Sequence, residues 1–223
     1  MSDAGALVLS FVLVPGIVGL AEALRRGRLV SFDISRKIIH VAVGSWILPT
    51  VLLFDSRWAA AAPPAVFVLV NLLSLRGKWT RAMDAEAGSN LGTVLFPLSF
   101  VLLILTLWEQ PGGRAAICAG LLALAWGDAA AALIGLRWGR HRYRVGAGWR
   151  SLEGSVAMLL FSALAIWTAG AVVGPSWPPV VLLAGALVAT LLEAGGRRGL
   201  DNLLVPVGTA LFLWGFGRVP LFG

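Results

Sequence analysis

Two carboxylates occupy unusual positions in a very apolar chain. Asp128 lies within a long hydrophobic run, about 12 Å of helix from its end at Leu136, and Glu153 begins the next hydrophobic run. A charged side chain at the centre of a membrane helix costs roughly 2.5–3.5 kcal/mol on insertion scales, so such residues usually have a function. Carboxylates beside glycines and arginines suit a site for a divalent cation and a phosphorylated ligand.

Small residues recur at every fourth position around Asp128, at Gly127, Ala131, Gly135 and Gly139. Such a stripe lets either a neighbouring helix or a ligand approach the backbone closely. Plain helix packing, with Asp128 bonded to a neighbouring helix, is the alternative, but a packing stripe does not require a carboxylate. We therefore place Asp128, Gly127 and Gly135 in a candidate ligand site.

The stretch "WRSLEGS" surrounds Glu153 and allows two interpretations. In the first, Ser151 is an ordinary N-cap and Glu153 complements the helix dipole in the first turn. In the second, the free amides of Gly154 and Ser155 bind a phosphate beside Arg150. Because Glu153 would repel a phosphate, the second interpretation needs a bridging divalent cation.

A second group of polar residues, in "DISRKIIHVAVGSW", begins another hydrophobic run. Arg36 and Lys37 precede His40 by about one helical turn, so all three share one helical edge. This edge suits phosphate binding, whereas snorkelling cations beside an interfacial histidine are the alternative. Asp201 and Asn202 form a third group, which either belongs to the candidate site or simply caps a helix.

The composition is typical of an integral membrane protein. Of the 223 residues, 58% are hydrophobic and 13% are charged, whereas about a quarter of the residues in soluble domains are charged. The mean hydropathy is +0.86. The net charge of +7 alone would suggest nucleic acid, but the basic residues lie in short clusters between hydrophobic runs, which disfavours that class. We expect one all-α transmembrane domain over residues 1–223.

Eight hydrophobic runs are long enough to span, or nearly span, a bilayer of about 30 Å. They lie near residues 5–24, 38–54, 58–75, 91–108, 115–136, 154–173, 178–193 and 203–217. Loops on one side of the resulting eight-helix topology contain most of the 18 Lys and Arg residues. The positive-inside rule then puts both termini outside, and the basic loops with the catalytic residues in the cytoplasm. We expect the protein in the plasma membrane.

The chain resembles the polyprenol kinase family in the motifs "SRKIIHVAVG", "GTVLFPLSF", "GDAAAALIGLRWG", "WRSLEGSVAM" and "DNLLVPVG", over about residues 35–208. That family comprises phytol and farnesol kinases, dolichol kinase and the CTP-dependent diacylglycerol kinase of yeast. The resemblance implies a kinase that transfers a phosphoryl group from CTP, or from UTP, to a membrane-embedded lipid alcohol. It also implies a divalent cation, which we expect to be Mg²⁺.

The functional positions of the family carry over to particular residues of this chain. They are the basic pair at Arg36 and Lys37, the aspartate at Asp128, the glycine at Gly135, the acidic helix start at Glu153 and the late pair at Asp201 and Asn202. We hypothesise that Asp128 and Glu153 hold Mg²⁺ against the nucleotide phosphates. Arg36, Lys37 and Arg150 would neutralise the phosphate oxygens, and the amides that follow Glu153 would assist them.

Two other functions compete with a lipid kinase. The CTP:phosphatidate cytidylyltransferases share the Gly-Asp and Ser/Thr-x-Glu-Gly segments, but their late His-Gly-Gly is missing, since the histidines here are His40 and His141. A small transporter would use Asp128 for proton coupling, yet would need ionisable groups nearer the midplane. Phytol, a polyprenol and diacylglycerol stay open as acceptors, as do CTP, UTP and ATP as donors. The role of Asp128 is also open, as a general base or only as a metal ligand. Gly135 and Gly139 would serve either packing within the chain or contact between subunits of an oligomer.

Overall fold

The computed structural model of the chain describes residues 1–77, 91–145, 148–196 and 199–216. The structure is 82% helical with little sheet, so the expected all-α polytopic membrane fold is confirmed. Parts of two basic loops, including Lys78 and Arg197, lie outside the described residues.

Ten α-helices, one π-helical segment and two short strands follow one another along the described chain. In order they are α1 (Asp3–Arg26), α2 (Phe32–Ser45), α3 (Ile47–Leu53), α4 (Arg57–Gly77), α5 (Gly92–Leu107), α6 (Gly113–Leu122), the π segment (Ala123–Asp128), α7 (Ala129–Trp138), β1 (Arg142–Val145), β2 (Gly148–Ser151), α8 (Leu152–Val173), α9 (Pro179–Gly195) and α10 (Asp201–Phe216). Serine N-caps begin three helices, since Ser2, Ser31 and Ser151 each accept a hydrogen bond from the backbone N–H three residues further on.

Each of the eight predicted hydrophobic runs coincides with one helix or with a helix that is interrupted once. Among the described residues, five helical segments are long and apolar enough to cross a membrane, and three shorter apolar helices accompany them. Large apolar side chains are exposed on outer faces, as at Leu160, Leu164 and Trp167 of α8. Such faces suit contact with lipid rather than water. The number of crossings and the side of each terminus stay predictions.

Helix α6 lies at the centre of the bundle. Its side chains from Ala115 to Leu122 are fully buried, and the burial continues through Ala125 in the π segment. Small residues permit this close packing, because a Cβ on Gly120 would overlap the carbonyl oxygen of Pro206 in α10. The most deeply buried helix therefore leads directly into the π segment that ends at Asp128. Such π-helical turns occur often at functional sites.

Strands β1 and β2 form an antiparallel hairpin between α7 and α8 that the sequence analysis did not predict. Arg142 pairs with Ser151, and Tyr143 pairs with Arg150. The backbone N–H of Leu152 then donates to the carbonyl of His141 at 2.9 Å, which fixes the entry into α8. The hairpin thereby determines where Arg150 lies relative to the helices.

Candidate active site

Asp128 binds two residues of α2. The Nζ atom of Lys37 lies 2.6 Å from Oδ2 of Asp128, and Nε2 of His40 lies 3.6 Å from the same oxygen. The side chains of Lys37 and Asp128 are only 24% and 19% exposed. An ion pair this well shielded is stronger than a surface pair, and its two charges are costly to separate. The sequence analysis placed all three residues in the candidate site, and the structure brings them together.

Two contacts hold α2 against the π segment in this register. Gly44 allows the close approach, because a Cβ at that position would overlap the side chain of Ala125. One residue further along each segment, Nε1 of Trp126 donates a hydrogen bond to Oγ of Ser45 at 2.8 Å. This docking lets Lys37 and His40, which lie on one edge of α2, reach Asp128.

The imidazole of His40 is partly buried, with 14% of the side chain exposed, and its buried Nε2 atom faces the carboxylate of Asp128. Its ring packs on the ring of Phe96, with 4.5 Å between the centroids. Within the described residues, Nε2 of His40 makes no hydrogen bond. A buried polar atom without a hydrogen bond is costly and needs an explanation, and a ligand group that binds there supplies one.

A second ion pair lies between the hairpin and α9. Nε of Arg150 is 3.0 Å from Oε1 of Glu193, whose side chain is only 8% exposed. The guanidinium also lies 3.5 Å from the carbonyl oxygens of Glu193 and Gly196. Asp201 packs against Gly196, where a Cβ would overlap its side chain. Arg150 thus ties the hairpin to the end of α9 and the start of α10.

The two ion pairs belong to one charged cluster. Lys37 and Arg150 attract the carboxylates of Asp128, Glu193 and Asp201, whereas Asp128 repels the like-charged Glu193 and Asp201. We use "the charged cluster" for Lys37, Asp128, Arg150, Glu193 and Asp201 together. These three acids and two bases come from α2, the π segment, β2, α9 and α10.

Glu153 makes its contacts elsewhere. Its Oε1 lies 2.7 Å from Nδ1 of His141, and both carboxylate oxygens accept from the backbone N–H of His141 at 3.2 and 3.3 Å. The described contacts do not join it to Asp128. Oγ of Ser151 accepts from the amide of Gly154 at 3.1 Å, so Ser151 is an ordinary N-cap, and the hydroxyl of Ser155 bonds to Tyr143 at 2.6 Å. The roles of these residues in binding metal and phosphate stay predictions.

The glycine stripe packs α7 and the π segment against α8. A Cβ on Gly127 would overlap Met158, and a Cβ on Gly135 would lie 3.1 Å from Oγ of Ser151. The stripe is therefore in contact with a neighbouring helix, which is the packing alternative that the sequence allowed. Its use by a ligand stays a prediction.

Two further predicted residues lie at the margin of the site. The exposed guanidinium of Arg36 lies over the ring of Phe32, 5.9 Å from its centroid. Nδ2 of Asn202 donates to the carbonyl of Gly199 at 3.4 Å, which is a local contact at the start of α10 and not an N-cap, since an N-cap side chain accepts from a backbone N–H. The structure shows neither residue in contact with Asp128.

Glu193 is the residue that the sequence analysis left out of its candidate site. Its position at the end of an apolar helix resembles an ordinary helix terminus. Its place in the charged cluster becomes apparent only from its ion pair with Arg150. One sequence feature could have revealed Glu193 as a candidate, because this glutamate precedes "AGGRR" directly after an apolar run. A carboxylate there is costly unless it is paired.

The donor set suits a cation that arrives with a phosphorylated substrate. Among the described residues, no three His, Cys, Asp or Glu side chains are arranged to hold a metal ion by themselves. Proteins usually bind Mg²⁺ through one or two carboxylates together with substrate phosphates. Asp128 offers one such carboxylate, and Lys37 and Arg150 offer cations for phosphate oxygens.

The fold and the charged cluster define an integral membrane protein with a polar site at one end of a helical bundle. Comparison with known proteins adds its family. The chain is 33% identical to the phytol kinase of Synechocystis sp. over 216 residues, which cover 94% of this chain and 90% of the relative. It is 27% identical to a Triticum aestivum protein named "Probable phytol kinase, chloroplastic", over 95% of this chain and 76% of that protein.

A third relative, "Probable phytol kinase 2, chloroplastic" of Glycine max, is 26% identical over 95% of this chain and 75% of its own length. No family model matches the sequence, and no solved structure matches it. The extent of the similarity to the Synechocystis protein shows that the chain belongs to the polyprenol kinase family.

Proposed function

We propose that the chain is a kinase that phosphorylates phytol or a related isoprenoid alcohol, with CTP as donor and Mg²⁺ bound to the nucleotide. The observation that carries this proposal is the 33% identity to a phytol kinase over 94% of the chain. The charged cluster supports it, because acids and bases from five elements converge where a nucleotide and a lipid hydroxyl can both reach.

Phosphoryl transfer needs little covalent chemistry from a protein; it needs positioning and neutralised charge. In our proposal, Lys37 and Arg150 bind the phosphate oxygens of the nucleotide. Asp128 would hold the cation that the nucleotide carries, or would accept the hydroxyl proton of the alcohol, once Lys37 contacts the phosphates. Glu193 holds Arg150 in place from the other side. Both ion pairs would thus keep the site ordered until substrate binds.

The remaining predicted residues contribute at the edge of this site. Arg36 is exposed beside Lys37 and can meet the outer phosphates of an approaching nucleotide. Nε2 of His40, which makes no hydrogen bond within the described residues, can bind a phosphate oxygen or the lipid hydroxyl. Glu153 remains our proposed second metal ligand only if it leaves His141 when the nucleotide binds.

The position of the charged cluster supports a site on the cytoplasmic face, in our proposal that of the plasma membrane. The described parts of three basic loops converge at the same end of the bundle, where Arg150 contacts the end of α9 and Lys37 reaches Asp128. Positive charge favours the cytoplasmic side of a membrane protein. The nucleotide would then enter from the cytoplasm and the alcohol from the bilayer.

Position-specific labelling tests this function. Purified protein in lipid nanodiscs receives phytol and Mg²⁺ with CTP labelled at either the α or the γ phosphorus. We expect label from the γ position in the lipid and none from the α position. Label from the α position would instead establish cytidylyl transfer. Absence of both labels with phytol, a polyprenol and diacylglycerol would overturn the proposed kinase. Competition by UTP and ATP then ranks the donors.

A further inference from the structure

The hairpin of β1 and β2 lies between two helical segments that are long and apolar enough to cross a membrane, Gly113–Trp138 and Leu152–Val173. β1 begins four residues after the first segment ends, and β2 ends directly before the second begins. Each strand has four residues and so spans about 13 Å, while the headgroup layer on one side of a bilayer is about 5–8 Å thick. The base of the hairpin therefore lies at the headgroup layer.

The inner face of the hairpin is fixed to the helices. Tyr143 and Arg150 are paired directly across the two strands, so their side chains project from the same face. The hydroxyl of Tyr143 bonds to Oγ of Ser155, in the first turn of α8, at 2.6 Å. Arg150 pairs with Glu193 of α9 at 3.0 Å. These contacts hold the hairpin against the helix ends and therefore close to the membrane surface.

The outer face of the hairpin is basic and aromatic. Arg142, Arg144 and Trp149 alternate with the inward residues along the strands, and all three are exposed, Trp149 to 63%. Trp138, at the end of α7, is 60% exposed. The connection between α7 and α8 contains no Asp or Glu that would offset the positive charge. Tryptophan is enriched at membrane–water interfaces, and arginine binds phosphate through two parallel hydrogen bonds.

A shallow apolar groove begins beside the hairpin, on the outer surface where α7 and α8 meet. It has a volume of about 370 Å³ and is lined by apolar side chains, among them Ile134, Leu152, Val156 and Leu160. Where the groove meets the hairpin, Glu153 is paired with His141 at 2.7 Å, which offsets its negative charge. The groove follows about two turns of α8 and offers a hydrocarbon chain more contact than a flat helix surface.

We propose that the outer face of the hairpin and this groove together bind an anionic phospholipid of the surrounding membrane. The lipid phosphate accepts hydrogen bonds from Arg142 and Arg144, Trp149 lies among the headgroups, and one acyl chain follows the groove. Basic residues at a membrane surface attract anionic lipids. A zwitterionic headgroup brings its own cation, so it gains less from these arginines. This lipid site goes beyond the proposed kinase function and does not depend on it.

Nanodiscs of defined lipid composition test this assignment by thermal unfolding. The protein is placed in phosphatidylcholine alone, or in phosphatidylcholine with about a third of phosphatidylglycerol that has the same acyl chains. The test variant is Arg142→Gln with Arg144→Gln. The matched control is Arg26→Gln with Arg28→Gln, which removes two exposed arginines at the end of α1. The quantity compared is the rise in Tm that phosphatidylglycerol causes in each protein.

We expect phosphatidylglycerol to raise the Tm of the wild type by about 2 °C or more, because a ligand that binds the folded state stabilises it. The variant of Arg142 and Arg144 should lose more than about half of this rise, and the control should keep most of it. An equal loss in both variants would indicate general attraction to a basic protein and would overturn the lipid site. Absence of any rise in the wild type would overturn it too.

The groove is tested by a variant that leaves the arginines intact. Val156→Trp fills the groove, whereas Val180→Trp alters a valine of α9 that is similarly exposed, 64% against 54%. We expect Val156→Trp to lower the rise in Tm by about half and Val180→Trp to leave it unchanged. An unchanged rise in Val156→Trp would contradict the bound acyl chain and with it the proposed site.

Soluble anions identify the source of the phosphate. Inorganic phosphate or glycerol phosphate, added to nanodiscs of phosphatidylcholine, should not raise Tm, since neither has an acyl chain for the groove. A rise as large as that with phosphatidylglycerol would assign the outer face to a free anion and overturn our proposal. Stabilisation by CTP that is lost in the variant of Arg142 and Arg144, without any effect of phosphatidylglycerol, would assign the outer face to the nucleotide instead.

Discussion

The two polar ends of the bundle use their charged residues differently. At one end, the carboxylate of Asp3 accepts from the backbone N–H groups of Asp55 and Ser56 at 2.8 and 3.1 Å. The guanidinium of Arg114 donates to backbone carbonyls, among them that of Phe54 at 3.4 Å, and lies over the ring of Trp108. At the other end, Lys37 pairs with Asp128 and Arg150 with Glu193, side chain to side chain between distant elements, and Arg150 also lies 3.5 Å from two backbone carbonyl oxygens.

This difference suggests a distinction between charges with a structural role and charges that we propose to be functional. Helix ends leave backbone groups without partners, so Asp3 and Arg114 have a sufficient role in satisfying them. Lys37 pairs with Asp128 and Arg150 pairs with Glu193, and such shielded pairs are an expensive way to stabilise a protein. Shielded charges that are not needed to satisfy backbone groups at helix ends indicate a ligand site.

Removal of the carboxylate at the centre of the charged cluster should have the largest effect. We expect Asp128→Asn to lower kcat by about 1000-fold, because the site loses a group that touches the reacting atoms. The variant also leaves Lys37 without its ion pair, which lowers Tm. The double variant Lys37→Met with Asp128→Asn removes both charges and should recover Tm but not activity. Activity in either variant near that of the wild type would contradict the site.

The second ion pair should show a separable effect on stability. Arg150→Met leaves Glu193 shielded and unpaired, so we expect a loss of about 1–3 kcal/mol in the free energy of unfolding and a large rise in KM for the nucleotide. Adding Glu193→Gln should restore much of the stability but not the KM. Denaturant titration and nucleotide kinetics measure the two effects. A KM that recovers together with stability would make Arg150 purely structural.

Glu153 provides the sharpest test between the two interpretations of its helix start. If its contacts with His141 are its whole role, Glu153→Gln lowers activity by less than about fivefold, since only a local contact near the surface is lost. If it also binds the cation, the loss of activity approaches that of Asp128→Asn, and a higher Mg²⁺ concentration is needed for the half-maximal rate. A magnesium titration of both variants distinguishes these outcomes.

The opposite end of the bundle should show the smallest effect on catalysis. Asp3→Ala removes the acceptor of two backbone N–H groups, so we expect about 1 kcal/mol lower stability. Its kcat and KM should stay within about twofold of the wild type. A strong loss of activity without a change in Tm would remove the distinction between the two ends.

The sequence by itself determined the membrane class and the helical segments, and it predicted a role for Asp128. Hydrophobic runs with few charges predict helices because in a bilayer the backbone must satisfy its own hydrogen bonds. A carboxylate within such a run is conspicuous for the same energetic reason. The family was also apparent from the order of its motifs, and the Synechocystis relative confirms it.

Only the tertiary structure decided which charges meet. Lys37 and Asp128 are 91 residues apart, and no local periodicity specifies that α2 docks on the π segment through Gly44. The hairpin that carries Arg150 to Glu193 has strands of four residues, too short to be detected by alternation. The apolar pocket between α1 and α5 that Phe96 lines exists only because several helices meet there. Local sequence specifies helices through backbone and solvation energies, but pairings and cavities depend on packing between distant segments.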